Sequence, residues 1–557
     1  MRVDRVGSRM FCTATLVVAF ASINGCGAGP EDWTVGEQQS AIDVTDPQAL
    51  LVDLIQPYLK TYTGQGDGGI THVTYWTMPS DQVTLLPAEE QDKVAKIRAN
   101  VIHAQAFMPT GEIAGIEVTG TLVRDTRSQF VVLKVPAGWN GKLVVGGTPG
   151  LRNEFANEVV VAPWVVEQGY AFVTGDKGLH GGGDDMYNGK HPTRHWGQMM
   201  IDLARWAGER LEAATGQKAA RIYAVGLSNG GYQVRRALEI DHERVAKGEA
   251  RLFDGGVDWA GAYWADAREL DTDKDGKVTP AEFGEGIHLL SSIDRATVAL
   301  GWAYDTPDGE DPFAWWPTQF ADNPLYAFAK PPMKKAGFTK ESSVFWGHYN
   351  TLYDAYKLFP GFEGFQGVGY YNLVSHVYRA ELRGDDGVTA MAHSCYYDPA
   401  SPGTPPVYGF LDQQPDWGWT EEAVKYGLEN ATTGEFSAPM LSVHGDRDAL
   451  VGLEANSTSY SKAIKKHGDR TLHRLYVIEN GSHVDHYADG NSDFNFDGVV
   501  DATDWAVADL VTPMQAYVMR SFAYLVDWAE LGVQAPKSQT VVTDPVNDVV
   551  DPTLLSW

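Results

Sequence analysis

The chain is 557 residues long, 43% hydrophobic and 11% aromatic, with 17 Trp, 59 Gly and a formal net charge of −29. It is long for one domain and can bury a large core. The acidic balance excludes nucleic acid and an anionic membrane surface as electrostatic partners, and suits a salt-tolerant or calcium-binding extracellular protein.

Arg2, Arg5 and Arg9 form a basic n-region and Met10 to Ile23 an apolar h-region too short for a membrane span, so residues 1–25 read as a signal peptide. Ile23-Asn24-Gly25-Cys26 resembles a bacterial lipobox, which makes Cys26 the candidate lipidated residue; ordinary signal cleavage nearby is the alternative. The expectation is an extracytoplasmic lipoprotein, on the cell surface or in the periplasm, or otherwise a secreted protein. It would meet the membrane only through that anchor. Cys12 and Cys26 lie in the leader, so Cys395 stands alone and no disulfide framework is expected.

Residues 26–46 are polar and acidic and read as a tether. The main domain begins over residues 47–265 with helical patterns at Ala49–Lys60 and Pro87–Ala104. Alternation then predicts paired strands over Ile116–Val123 and Phe130–Val135. Buried strands follow at Lys142–Val145 and Tyr170–Thr174, a helix at Arg194–Ala214, a strand at Ile222–Val225 and a sixth core strand at Gly256–Tyr263. Residues 266–435 break this rhythm. They are rich in aromatics (Trp302, Trp315, Trp346 and Phe362 among them), Gly and Pro, and read as one large lid insertion. The core resumes over 436–535 with a strand at Pro439–Val443, a helix at Glu454–His467, a strand at Arg474–Ile478 and a final helix at Ala506–Trp528. Residues 536–557 form a tail. Strands alternating with helices predict an α/β protein: a mostly parallel twisted sheet flanked by helices, with the lid after strand 6.

The chemistry is concentrated in three places. Gly226-Leu227-Ser228-Asn229-Gly230 sits between a strand and a helix, the G-x-S-x-G pattern of a nucleophile elbow. Ser228 must then occupy a strained turn, and a Cβ at Gly226 or Gly230 would strike the neighbouring strand or helix. A serine hydroxyl needs a histidine base held by a carboxylate. Asp448 follows the next-to-last strand and His483 the last, and the order Ser228…Asp448…His483 is that of α/β-hydrolases. Asp446 and Asp266 are the alternative acids and His486 the alternative base. An oxyanion hole needs two backbone amides: that of Asn229 is one candidate, and that of Thr148, with Gly147 next, the other. His180-Gly-Gly-Gly183 looks like a lipase oxyanion motif but follows the fourth strand, and reads as a flexible loop.

Val135-Pro-Ala-Gly-Trp-Asn-Gly141, followed by a strand and a Gly-rich loop, is similar to the tannase/feruloyl esterase and hydroxybutyrate-oligomer hydrolase groups. With the triad order, the chain resembles a secreted α/β-hydrolase serine esterase over about Ile116–Ala265 and Ser437–Glu530. Tannase-type enzymes pair a cysteine before the serine with one after the histidine; here Leu227 and Val484 occupy those places.

Two loops carry the spacing of calcium ligands. Asp271, Asp273, Asp275, Lys277 (through its carbonyl) and Glu282 match the twelve-residue EF-hand loop, with Gly276 at the sharp turn. Asp493, Asn495, Asp497, Val499 and Asp504 resemble a dockerin-repeat loop. A dockerin needs two adjacent loops, so no cohesin partner is expected and both calcium ions read as structural. The functional expectation is a carboxylic ester hydrolase acting through an acyl-enzyme on a small or oligomeric ester with hydrophobic or aromatic groups. The alternatives are an amidase or peptidase with the same triad, and a non-catalytic calcium-dependent binding protein.

Overall fold

The computed structural model describes residues 70–78, 113–157, 160–179, 192–286, 420–448, 451–483, 512–544 and 555. The predicted leader with Cys26, the tether, the helical patterns at 49–60 and 87–104, and the 180–183 loop lie outside the described residues. So do most of the lid (287–419), His486 and the second calcium loop with Asp493, Asn495, Asp497, Val499 and Asp504.

The described strands form one ten-stranded sheet. They are β1 (Ile70–Met78), β2 (Ile113–Arg124), β3 (Arg127–Pro136), β4 (Lys142–Gly147), β5 (Ala171–Gly175), β6 (Arg221–Leu227), β7 (Gly255–Trp259), β8 (Met440–Gly445), β9 (His473–Ile478) and β10 (Gln539–Val541). Their order is β1-β2-β3-β5-β4-β6-β7-β8-β9-β10. β1, β2 and β3 pair antiparallel, β3 pairs antiparallel with β5, and every pairing from β5 through β4 to β10 is parallel. The parallel strands read as continuous apolar runs such as Leu143-Val144-Val145 because both of their faces are covered.

The covering helices are α1 (Ala162–Glu167), α2 (Trp196–Thr215), α3 (Asn229–Ala246), α4 (Ala267–Leu270), α5 (Pro280–Gly286), α6 (Glu421–Glu429), α7 (Ser459–His467) and α8 (Gln515–Leu531). Two neighbouring glycines of β7 show the layering. A Cβ at Gly255 would meet Leu525 of α8 at 2.7 Å, and one at Gly256 would meet Val234 of α3 at 2.8 Å. Since successive residues of a strand point to opposite faces, α8 and α3 cover opposite sides of the sheet. Phe522 of α8 packs edge-on against Trp164, Tyr170 and Tyr223.

The structure departs from the sequence expectation at several ends. β1 lies in a stretch read only for its flanking helical patterns, and β10 extends the sheet into the predicted tail. The sixth predicted strand stops at Trp259, because Ala260 turns into the left-handed region (φ 48). The helix predicted over Glu454–His467 begins as a π turn, Glu454–Thr458. The final helix begins at Gln515, after Thr512 has bridged in parallel to Gly481.

Beyond β7 the two roots of the insertion meet. The Phe283 ring of α5 lies against Gly427 of α6, so closely that a Cβ at Gly427 would sit 2.0 Å from it. Arg268 pairs with Glu435 at 3.0 Å, and the Thr432 amide donates to the Trp264 carbonyl at 2.8 Å.

Candidate active site

β6 delivers Ser228 into a turn with φ 60 and ψ −119, a conformation that L residues rarely adopt. Two backbone bonds hold it there: the Ser228 amide donates to the Trp259 carbonyl, and the Tyr232 amide donates to the Ser228 carbonyl. Three glycines interlock around the turn. A Cβ at Gly226 would lie 2.3 Å from the Gly230 carbonyl oxygen, one at Gly147 also 2.3 Å from that oxygen, and one at Gly230 would lie 2.0 Å from the Gly147 oxygen. The backbones of β4, β6 and the first turn of α3 therefore touch directly, as expected for Gly226 and Gly230.

The next two side chains come from the ends of β8 and β9. His483 Nδ1 lies 2.6 Å from Asp448 Oδ2. The opposite oxygen of Asp448 accepts the Val451 amide at 2.7 Å, and His444 Nε2 reaches Oδ2 at 3.2 Å. Burial alone would push the Asp448 carboxyl up. The charge of His483 and the hydrogen bonds from His444 and His483 outweigh it and hold the group well below the usual carboxylate range. Asp448 is thus an ionised acceptor that fixes the Nδ1–H tautomer of His483 and leaves Nε2 as the basic atom. The alternative acids sit in different surroundings. Asp446 is pushed up to about 6, chiefly by burial. Asp266 caps α4, accepting the amides of Arg268 and Glu269.

The loop after β4 corrects one expectation. The Thr148 amide does not offer itself to an oxyanion: it donates to Gln233 Oε1 at 3.0 Å in a buried bond. With its amide engaged by Gln233, Thr148 braces this loop. Gln233 also donates to the Trp196 carbonyl, and the Thr148 hydroxyl donates to the Gly175 carbonyl. The fully buried Lys177 donates to the Thr148 carbonyl at 3.0 Å, with its ammonium 5.1 Å from the centre of the Trp196 ring. Burial lowers its pKa to about 7, against the charge of Asp176 and helped by that of Arg152. Asn229 lies at the first position of α3, at the positive end of the helix dipole, and its side-chain amide donates to the Gly150 carbonyl at 3.2 Å. Sequence reasoning missed Gln233, Lys177 and His444. Gln233 stands five residues past Ser228 and His444 four before Asp448, but only the folded chain reveals their partners.

At the root of the insertion, one carboxylate oxygen each from Asp271, Asp273 and Asp275 lie within 4.8 Å of one another. Hard oxygen donors of this kind fit calcium. The Gly276 amide donates to Asp271 at 2.9 Å, and Gly276 turns with φ 86. Lys277 contributes its amide to Asp275 at 2.8 Å. Glu282 is not in the cluster. It forms a capping box with Thr279 at the start of α5, and its other oxygen accepts the amide and hydroxyl of Thr272. Those bonds lower its pKa to about 2, led by the Thr279 amide.

No protein-family model matches the chain, and no curated protein matches it either. Solved structures do. A feruloyl esterase B from Aspergillus oryzae aligns with a TM-score of 0.44 at 15% identity, over 87% of this chain and 91% of that one. A tannin acyl hydrolase from Aspergillus niger aligns with a TM-score of 0.39 at 13% identity, over 86% and 87%. A rice cell wall degrading esterase from Xanthomonas oryzae gives 0.33 at 15% identity, over 76% and 92%. The order of the sheet, with β3 antiparallel to its neighbours, β5 and β4 crossed over and the strained serine turn after β6, makes this chain an α/β-hydrolase fold.

Proposed function

We propose that the protein is a serine hydrolase that cleaves carboxylic esters through Ser228, His483 and Asp448. The observation that carries this reading is the bond between His483 Nδ1 and the ionised, buried Asp448, at the end of the sheet where Ser228 is held in its elbow. In this reading Ser228 Oγ attacks the ester carbonyl as His483 Nε2 takes its proton. Asp448 keeps the imidazole oriented and stabilises its protonated form. The Asn229 amide, backed by the dipole of α3, receives the developing oxyanion. His483 then protonates the departing alcohol, and water cleaves the acyl-enzyme by the same route reversed. A substrate with hydrophobic or aromatic groups, small or oligomeric, fits the aromatic content of the insertion.

The deciding experiment compares a matched ester and anilide of one short acid on wild type and Ser228→Ala. Ester turnover should fall by about 10⁴-fold or more in the variant. Serine-dependent anilide turnover at a similar rate would move the reading to an amidase. Turnover that survives Ser228→Ala would overturn it.

The same proposal places the protein outside the cytoplasm through its basic and apolar leader, with Cys26 as the lipid attachment point. Among the described residues no helix is long and apolar enough to cross a membrane. Calcium is proposed as a structural ion at Asp271, Asp273 and Asp275, joined by the Lys277 carbonyl and by Glu282 once it leaves its bonds to Thr272 and Thr279, and in the 493–504 loop. It has no part in the chemistry.

A further inference from the structure

Behind Asp448 runs a buried chain of polar groups that the proposed reaction does not use. Arg235 of α3 donates through Nη2 to Asp258 of β7 at 2.9 Å and to the Ser457 hydroxyl at 2.7 Å. Its guanidinium also lies over the ring of Tyr460, 4.4 Å from the ring centre. Ser457, in the π turn before α7, lies 2.7 Å from His444 Nδ1. His444 Nε2 lies 2.6 Å from the Val451 carbonyl and 3.2 Å from Asp448 Oδ2. On its other side Asp258 bonds Ser442, which lies 2.9 Å from His473 Nε2. Arg235, Asp258 and His444 are fully buried.

The donors in this chain have one consistent arrangement. Arg235 can only donate, so the Ser457 oxygen accepts from it and keeps its own hydrogen for a second partner. His444 Nε2 faces two acceptors, the Val451 carbonyl at 2.6 Å and Asp448 Oδ2 at 3.2 Å, so it carries a proton given chiefly to the carbonyl and shared with the carboxylate, and in the neutral ring Nδ1 accepts the Ser457 hydroxyl. The carboxylate receives His483 from one side and His444 from the other. The chain also bridges two elements that must keep register: Arg235 stands two turns along the helix that begins at Ser228, and His444 lies at the end of the strand that leads to Asp448.

We infer that His444 is a positioning residue for Asp448, locked in its Nε2–H tautomer by Ser457 and Arg235, and that it thereby sets the orientation and basicity of His483. This rests on the Ser228–His483–Asp448 reading above. The charged and titratable groups facing it are Asp448 from its own loop, Arg235 from α3, Asp258 from β7, and His473 and His483 from β9 and the turn after it. Without the second donor, Asp448 would hold the protonated form of His483 more tightly, and the acid limb of the rate profile would move to higher pH.

The test measures kcat, KM and the pH profile of ester hydrolysis in His444→Leu, His444→Gln and Ser457→Ala, with thermal unfolding of each and Ser228→Ala as control. His444→Leu should lose about 30- to 100-fold in kcat with KM little changed. Its acid limb should rise by about half a pH unit. His444→Gln, which keeps a side-chain N–H, should recover most of the rate, and Ser457→Ala should show a smaller shift of the same sign. A folded His444→Leu with wild-type kcat and an unmoved limb would overturn the inference while leaving the ester-hydrolase reading intact. If His444→Leu does not fold, Ser457→Ala decides by the same criterion. Turnover that survives Ser228→Ala would remove the reading beneath and the inference with it.

Discussion

At Ser228 a backbone conformation that costs about 1–3 kcal/mol is sustained by its surroundings. Ser228→Gly should relax it, abolishing turnover while raising stability by about 1 kcal/mol, read as a higher urea midpoint. Gly230→Ala should do the reverse. Its methyl would sit 2.0 Å from a backbone oxygen that no rotamer change can move, so the loss should be about 3 kcal/mol or more. An unchanged midpoint in Gly230→Ala would mean that β4 and α3 are not pressed together as described. The same scale separates Asp446 from Asp448. Asp446 is half-buried and Asp448, two residues on, fully buried, and it is Asp448 that the charge and bonds of two histidines reach. Burial therefore wins at Asp446 and pairing wins at Asp448.

Among the elements, the parallel strands were legible because burial on both faces leaves an unbroken apolar run, and the Ser228, Asp448 and His483 loops follow such runs directly. β1 was missed although Ile70-Thr-His-Val-Thr-Tyr-Trp-Thr-Met78 is rich in β-branched and aromatic residues, because stronger helical patterns flank it. β10 has three residues, two of them exposed, and so no period to read. The Thr148 amide was misassigned because its partner, Gln233, depends on how α3 is rotated over β4, which spacing does not encode. The root of the insertion carries an element-scale prediction. Three carboxylates crowded within 4.8 Å repel one another unless a cation joins them. Calcium should therefore raise the melting temperature of the full chain and EDTA lower it. Asp273→Ala, which removes one ligand from the 271–275 cluster, should shrink the response. No response in the wild type would end the calcium proposal.

For the whole molecule, two histidines with depressed pKa values, the buried His473 and the half-buried His195, set the acid limit. His473 is held neutral by burial, its pKa lowered to about 3, and His195 is lowered to about 4, again chiefly by burial. The unfolded chain takes up these protons below about pH 6.5. A group whose folded pKa is depressed in this way stabilises the fold above its unfolded pKa and loses that contribution as pH falls toward the folded one. Asp446, shifted upward, opposes this with a contribution that grows as pH falls through about 6. The net expectation is a loss of stability between pH 6.5 and 4 led by the buried His473, with the share of the partly exposed His195 reduced by solvent screening, measurable by urea unfolding at both values. His473→Gln should flatten that fall, and equal stability at the two pH values would contradict the balance. The clasp at the root of the insertion bears on how this molecule can change over time. Phe283 against Gly427, Arg268 against Glu435 and Thr432 against Trp264 keep the points of departure and return together. The chain between them closes a loop whose ends are already fixed, and each doubling of such a loop costs only about 0.6 kcal/mol. Selection can therefore lengthen, shorten or exchange that segment while the sheet and the residues at its edge are inherited unaltered.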